Sequence, residues 1–203
     1  VWRNAGIERR HGVVDPTRED ISGLGTGARM ERYVQAAMPL GHAAVEAALT
    51  SAGLPAEDIG MFCVVSCTGY ATPGLDILLA RDLGMHPGVQ RLVVGHMGCY
   101  AALPGLGTVS DYVVARSRPA LLLCLELTSL HVQPPTATSQ SSPTQQDLQQ
   151  MVAHALFSDA AAAVAVEPRG HHQGARPPVT GRRDAGGLEV VDVVARTDAS
   201  TSD

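Results

Sequence analysis

The chain has 203 residues, 45% of them hydrophobic and 17% charged, the balance of a globular chain able to bury a core. Its net charge of −5, with all fifteen basic residues arginine, argues against the clustered basic face that nucleic acid requires. No run reaches the roughly 18 to 20 apolar residues of a membrane helix, so a membrane is not an expected partner.

The start, Val1-Trp2-Arg3-Asn4, has neither an initiator Met nor a basic-then-apolar leader, and reads as a cut into a longer protein. An Ala-rich helical pattern covers residues 28–52, with Pro39 expected to kink or split it. Residues 61–65 form a short unbroken apolar run, the pattern of a strand buried on both faces. Thr72-Pro73 follows as an N-cap residue with proline at the first helical position, ahead of a stripe of Leu75, Leu78, Leu79 and Leu83. Residues 91–95 read as a second buried strand, 99–117 as a helix after a two-glycine turn, and 120–125 as a third strand. The polar segment 133–141 is a loop. Ser142-Pro143-Thr144-Gln145 has the pattern of a capping box opening a helix with Leu148, Met151, Val152, Ala155 and Leu156 on one face. Residues 160–166 give a fourth strand, 168–187 a Gly/Pro/Arg/His-rich loop, and 188–195 a last strand candidate. Alternating strands and helices predict a layered α/β fold with a parallel sheet and helical crossovers.

In such a sheet, functional groups gather where strands end and helices begin. Three junctions carry polar or reactive residues: Ser66-Cys67-Thr68-Gly69, His96-Met97-Gly98-Cys99 and Glu126-Leu127-Thr128-Ser129. The four cysteines (Cys63, Cys67, Cys99, Cys124) include no Cys-x-x-Cys pair, so neither a zinc site nor a redox dithiol is indicated, and free thiols in a reducing cytosol are expected. Each cysteine taken alone reads as a small buried hydrophobe. Cys99 has a further case: it follows a strand and opens a helix, where backbone N–H groups favour a thiolate suited to acyl transfer. His96, three residues earlier, lies along the same turn and is read as structural. His131 is a pocket-lining candidate or a solvated loop residue, and His171 and His172 are expected to face solvent. Arg3, Arg9 and Arg10 form a local basic cluster able to meet an anionic substrate.

Several segments resemble the type III polyketide synthases, the relatives of chalcone synthase. Val93-Val94-Gly95-His96-Met97-Gly98-Cys99-Tyr100-Ala101-Ala102 is similar to the family's nucleophile segment, and Cys67 to Asp76 to the segment that ends Pro-Gly-x-Asp. Cys124-Leu125-Glu126-Leu127-Thr128 is similar to the Glu-x-Thr strand end, and Ala155-Leu156-Phe157-Ser158-Asp159-Ala160-Ala161-Ala162 to the Ala-Leu-Phe-Gly-Asp-Gly-Ala-Ala segment. The resemblance implies the N-terminal half of a thiolase-like αβαβα fold over residues 1–203, cut at both ends. It implies Cys99 as the acyl-carrying nucleophile, acyl-CoA and malonyl-CoA as substrates, no cofactor beyond these thioesters, no metal, a homodimer and a cytoplasmic setting. Phe157 falls on the gatekeeper position; Cys67, Thr68, Thr128 and His131 fall on cavity-lining positions; Thr72 falls where a subunit reaches into its partner's cavity; and Arg3 lies near the region that holds CoA phosphate.

The chain also departs from the family pattern. The histidine and asparagine that complete the family's triad belong to its C-terminal half and match nothing here, so the chain alone is expected not to complete a condensation. Asn4 stands where chalcone synthases carry lysine, Pro104 enters just after the nucleophile and is expected to kink the following helix, and the 133–141 loop is longer than usual. Two other readings share the fold: a ketoacyl-carrier-protein synthase III, which lacks the Pro-Gly-x-Asp segment, and a non-catalytic thiolase-fold partner, which would have less reason to keep Cys99.

Overall fold

The computed structural model describes residues 4–133, 144–168 and 188–194. Arg3, most of the 133–141 and 168–187 loops, His171 and His172 lie outside the described residues.

Four strands form one sheet: β1 (Met61–Val65), β2 (Gln90–Val94), β3 (Ala120–Glu126) and β4 (Ala160–Val166), in the order β2-β1-β3-β4. β1 is parallel to β2 and β3, with Val65 beside Val94 and Cys124. The side chains of β1 and β3 alternate between two apolar layers, as the two-residue period of a strand demands. Phe62, Val64, Leu121, Leu123 and Leu125 face α1 (Thr26–Ala52) and α2 (Leu75–Asp82). Met61, Cys63, Val65, Ala120 and Leu122 face α3 (Ala102–Arg116), which contributes Val109 and Val113. The result is three layers, α on β on α, with β1 buried along its whole length. Gly105 lets α3 approach closely, since a Cβ there would stand 3.0 Å from both Val65 Cγ2 and Leu122 Cδ1.

Several expectations are corrected. α1 is a single helix through Pro39, not two. The N-cap of α2 is Gly74, two residues past Thr72, and the Thr72–Pro73 peptide is cis. β2 was expected to be buried, yet it is an edge strand of the sheet, with Leu92 and Val93 36% and 51% exposed. The capping box that opens α4 (Gln145–Leu156) is built by Thr144 and Asp147 rather than Ser142 and Gln145. Asp147 N–H donates to Thr144 Oγ1 at 3.1 Å and Thr144 N–H to Asp147 Oδ2 at 2.8 Å. Residues 188–194 form no strand. Pro104 leaves α3 continuous, because it sits in the first turn, where its missing N–H has no intrahelical partner to lose.

The correction that matters most for the site is the direction of β4. It runs antiparallel to β3, pairing Ala160 with Glu126 and Val166 with Ala120. α4 does not lie across the sheet as a crossover helix: its Leu148, Met151, Val152 and Leu156 are all at least 39% exposed. The chain therefore re-enters the sheet at the end where β3 left it, and Phe157, Ser158 and Asp159 arrive at the edge where β1, β2 and β3 end.

Candidate active site

Cys99 reaches that edge from β2. After Val94 the chain turns through His96 (φ 60°) and Gly98 (φ 74°), both left-handed, and Cys99 lies in a single 3-10 turn, Gly98–Tyr100. Glycine is favoured at position 98 because a Cβ is strained at that φ. The helix proper starts at Ala102, so Cys99 sits one turn before α3 and not in its first turn as expected. Ala101 N–H donates to Gly98 O at 3.2 Å and Gly105 N–H to Ala101 O at 3.0 Å, so the turn runs straight into the helix. Buried Ala101, at 1% exposure, anchors this turn in the layer beneath α3, while Cys99 itself is exposed. Buried Cys63 differs: burial pushes its thiol up to about 11. His96 is exposed along the same turn.

Cys67 arrives from the neighbouring strand, β1. Its Sγ lies 3.9 Å from the carbonyl oxygen of Gly98, the residue before Cys99. Its backbone N–H donates to Glu126 Oε1 at 2.8 Å. Thr68 is tied more fully. Its N–H and hydroxyl donate to Glu126 Oε2 at 2.9 and 2.6 Å, its Oγ1 accepts from Leu127 N–H at 2.8 Å, and its carbonyl meets His131 Nε2 at 2.6 Å. The Thr68 hydroxyl is therefore spent within the scaffold. So is that of Thr128, which donates to Asp159 at 3.1 Å. Thr128 and His131 belong to the 3-10 turn that follows β3, Thr128–His131, held from behind by Arg29. The buried Arg29 guanidinium donates to the carbonyls of Leu24, Ile21 and Leu130.

Phe157 caps the C-terminus of α4, its ring half exposed at the same edge. What fixes it is the backbone on either side. Phe157 N–H donates to Ala153 O at 2.9 Å, and Asp159 N–H to His11 O at 2.9 Å. The Asp159 carboxylate, 6% exposed, accepts from Val13 N–H, Ser129 N–H, Ser129 hydroxyl and Thr128 hydroxyl. One carboxylate thus knots the N-terminal segment, the turn after β3 and the start of β4. Arg10, read from the sequence as a possible anion contact, instead donates to Ala155 O at the end of α4. Arg9 is exposed.

A cavity of about 530 Å³ opens beside Cys67, lined by Met30, Tyr33, Thr68, His96 and His131 among others. Under it, the hydroxyl of buried Tyr33 donates to Ser66 Oγ at 2.6 Å, and burial pushes this phenol up to about 12. Thr72 is exposed, next in the chain to Ala71 of the cavity lining. The structure thus brings Cys99, Cys67, Thr68, Thr128, His131 and Phe157 to one end of the sheet. Sequence reasoning missed Glu126 and Asp159 as the groups that hold them; the signal available was a carboxylate at the end of an apolar strand and another at the start of one.

An αβα unit that presents a turn-borne cysteine where parallel strands end has the architecture of the N-terminal half of a thiolase-like fold. Residues 19–169 match the profile described as chalcone and stilbene synthases, N-terminal domain, and the chain belongs to that family. It is 36% identical over 174 residues to the α-pyrone synthesis polyketide synthase-like Pks18 of Mycobacterium tuberculosis, covering 82% of this chain and 41% of that protein. It is also 36% identical over 185 residues to 1,3,6,8-tetrahydroxynaphthalene synthase of Streptomyces peucetius, covering 90% and 44%. Among solved structures, 1,3,6,8-tetrahydroxynaphthalene synthase from Streptomyces coelicolor superposes with a TM-score of 0.72 at 28% identity, covering 83% of this chain and 46% of that one. The C-terminal type III polyketide synthase domain of Steely1 from Dictyostelium gives 0.70 at 26%, covering 81% and 44%. The chain spans less than half the length of these relatives. No helix among the described residues is long and apolar enough to cross a membrane.

Proposed function

We propose that the protein is a type III polyketide synthase and that this chain supplies its nucleophile and part of its cavity. Cys99 takes an acyl group from an acyl-CoA starter: the S–C bond to CoA breaks, the Cys99 thioester forms, and the CoA thiol leaves with a proton. Malonyl-CoA then loses CO₂. The resulting C2 carbanion attacks the thioester carbonyl, a C–C bond forms, and the Cys99 thiolate departs, leaving a chain two carbons longer on CoA. Repetition and ring closure give a pyrone, resorcinol or other aromatic product. Phe157 gates the CoA entrance; Cys67, Thr68, Thr128 and His131 shape the cavity wall, with Thr72 reaching a partner subunit in a cytoplasmic homodimer. Arg3 contributes charge to the binding of the CoA phosphates. The reaction asks for no cofactor beyond CoA thioesters. The general acid/base and oxyanion donors come from the rest of the protein, and without them this chain by itself loses orders of magnitude in rate.

The observation that carries this reading is the placement of exposed Cys99 on a Gly98-opened turn beside Cys67, at the end of the sheet where Phe157 also arrives. In the full-length protein that contains this chain, acyl-CoA is expected to leave an acyl mass on the Cys99 peptide, and Cys99→Ala is expected to abolish chain extension. Acylation at Cys67 alone would overturn the assignment.

A further inference from the structure

Glu126 ends β3, yet its side chain serves the neighbouring strand. Its two carboxylate oxygens accept three hydrogen bonds from the turn that follows β1: Cys67 N–H at 2.8 Å, Thr68 N–H at 2.9 Å and the Thr68 hydroxyl at 2.6 Å. All three donors are neutral, and two are backbone groups whose direction is fixed by the chain. The return bond, Leu127 N–H to Thr68 Oγ1 at 2.8 Å, and the His131 ring on Thr68 O at 2.6 Å, close the clamp from the β3 side. Every polar group of Thr68 is thereby engaged, and the Cys67 thiol lies 3.9 Å from Gly98 O, on the side of the nucleophile.

We propose that Glu126 is a positioning residue that fixes the Cys67–Thr68 turn, holds the Cys67 thiol against the peptide preceding Cys99, and so decides which of the two thiols meets an acyl donor. Its functional consequence rests on the reading of Cys99 as the acyl-carrying thiol; its geometric content does not. A carboxylate is required because the clamp consists of donors only. Glutamine offers one oxygen and one NH₂, and whichever way the amide is turned, its NH₂ meets either Cys67 N–H or Thr68 N–H. Aspartate is one methylene shorter, and a strand-end side chain that must span to the adjacent turn has no slack for that loss. With the clamp released, the turn swings free, and Cys67 leaves the Gly98 carbonyl for the open side of the cavity.

The test uses the full-length protein that carries this chain, alkylated with iodoacetamide at fixed pH, with rates at Cys67 and Cys99 read separately by peptide mass spectrometry. Glu126→Gln and Thr68→Val are each expected to raise the Cys67-to-Cys99 rate ratio about tenfold, the scale of losing one hydrogen bond to a charged group. Thr68→Ser keeps the hydroxyl and is expected to keep the wild-type ratio, and the double variant Glu126→Gln/Thr68→Val is expected to exceed neither single one by much, since both break one unit. An unchanged ratio in folded Glu126→Gln, or a Thr68→Ser variant behaving like Thr68→Val, would overturn the proposal. Reaction of buried Cys63 reports loss of the fold, in which case the Thr68 pair decides by the same ratio. Alkylation needs no turnover, so a protein that fails to load acyl groups onto Cys99 refutes the functional reading while leaving this one measurable.

Discussion

Gly69 provides a quantitative check on how the turn beside Cys67 is built. A Cβ placed there would stand 2.1, 2.3 and 2.4 Å from Cγ, Cδ2 and Cδ1 of Tyr33, whereas carbon atoms in contact need about 3.5 Å. Gly69 is not one of the positive-φ glycines, so alanine is allowed by the backbone and forbidden by space alone. The ring cannot yield cheaply: Tyr33 is 1% exposed and its hydroxyl is committed to Ser66. Forcing it aside costs about 1–3 kcal/mol for overpacking. Breaking the buried hydrogen bond adds about 1 kcal/mol. Gly69→Ala is therefore expected to destabilise the full-length protein by about 2–4 kcal/mol in urea or guanidinium unfolding. Tyr33→Ala alone costs about 3–5 kcal/mol by leaving a cavity. The decisive measurement is the double variant: with the ring gone, Gly69→Ala should add no more than about 0.5 kcal/mol, giving a strongly non-additive cycle. If Gly69→Ala costs as much in the Tyr33→Ala background as in the wild type, the clash is not the cause and the argument from close approach is wrong.

Asp159→Ala strips the acceptor from two backbone N–H groups and two hydroxyls around a buried carboxylate, and is expected to cost at least about 3 kcal/mol in the same unfolding assay; a loss under about 1 kcal/mol would show that the knot is not holding the turn after β3 to the start of β4. Stability is also expected to fall on the alkaline side. Burial raises Tyr33 from 10.0 to about 12 and Cys63 from 9.0 to about 11, so the unfolded chain releases these protons first. The neutral forms contribute fully below pH about 9, and their contribution drains away between 9 and 12 as pH rises. Tyr33→Phe and Cys63→Ala should each flatten that decline, and an equally steep decline in the double variant would mean that other groups drive it.

Much of the fold was legible because it depends on short-range pattern. The apolar runs at 61–65, 120–125 and 160–166 became β1, β3 and β4 within a residue, and the helical stripes became α1, α2 and α4. The errors fall where two local signals compete. Thr72-Pro73 and Ser142-Pro143 both carry an N-cap-plus-proline pattern, yet Gly74 and Thr144 begin the helices, and in the second case Asp147 outcompetes Gln145 because its short carboxylate reaches back to the Thr144 N–H. Pro39 sits inside an intact helix since neighbouring turns supply enough bonding to carry one gap. The run at 91–95 looked buried because an apolar strand reads the same whether it is central or at an edge waiting for a neighbour.

Sequence by itself determined the chemistry on offer: a thiol at Cys99 behind Gly98, a second at Cys67, an aromatic at Phe157, and the order of segments that identifies the family. Tertiary structure alone decided which of these meet. α4 does not cross the sheet, so β4 enters antiparallel, and that single choice of direction carries Phe157 and Asp159 to the end of the sheet that bears Cys99. Glu126 and Asp159 owe their roles to the same cause. A carboxylate's partners here come from 30 to 146 positions away in the chain, and no local spacing encodes them.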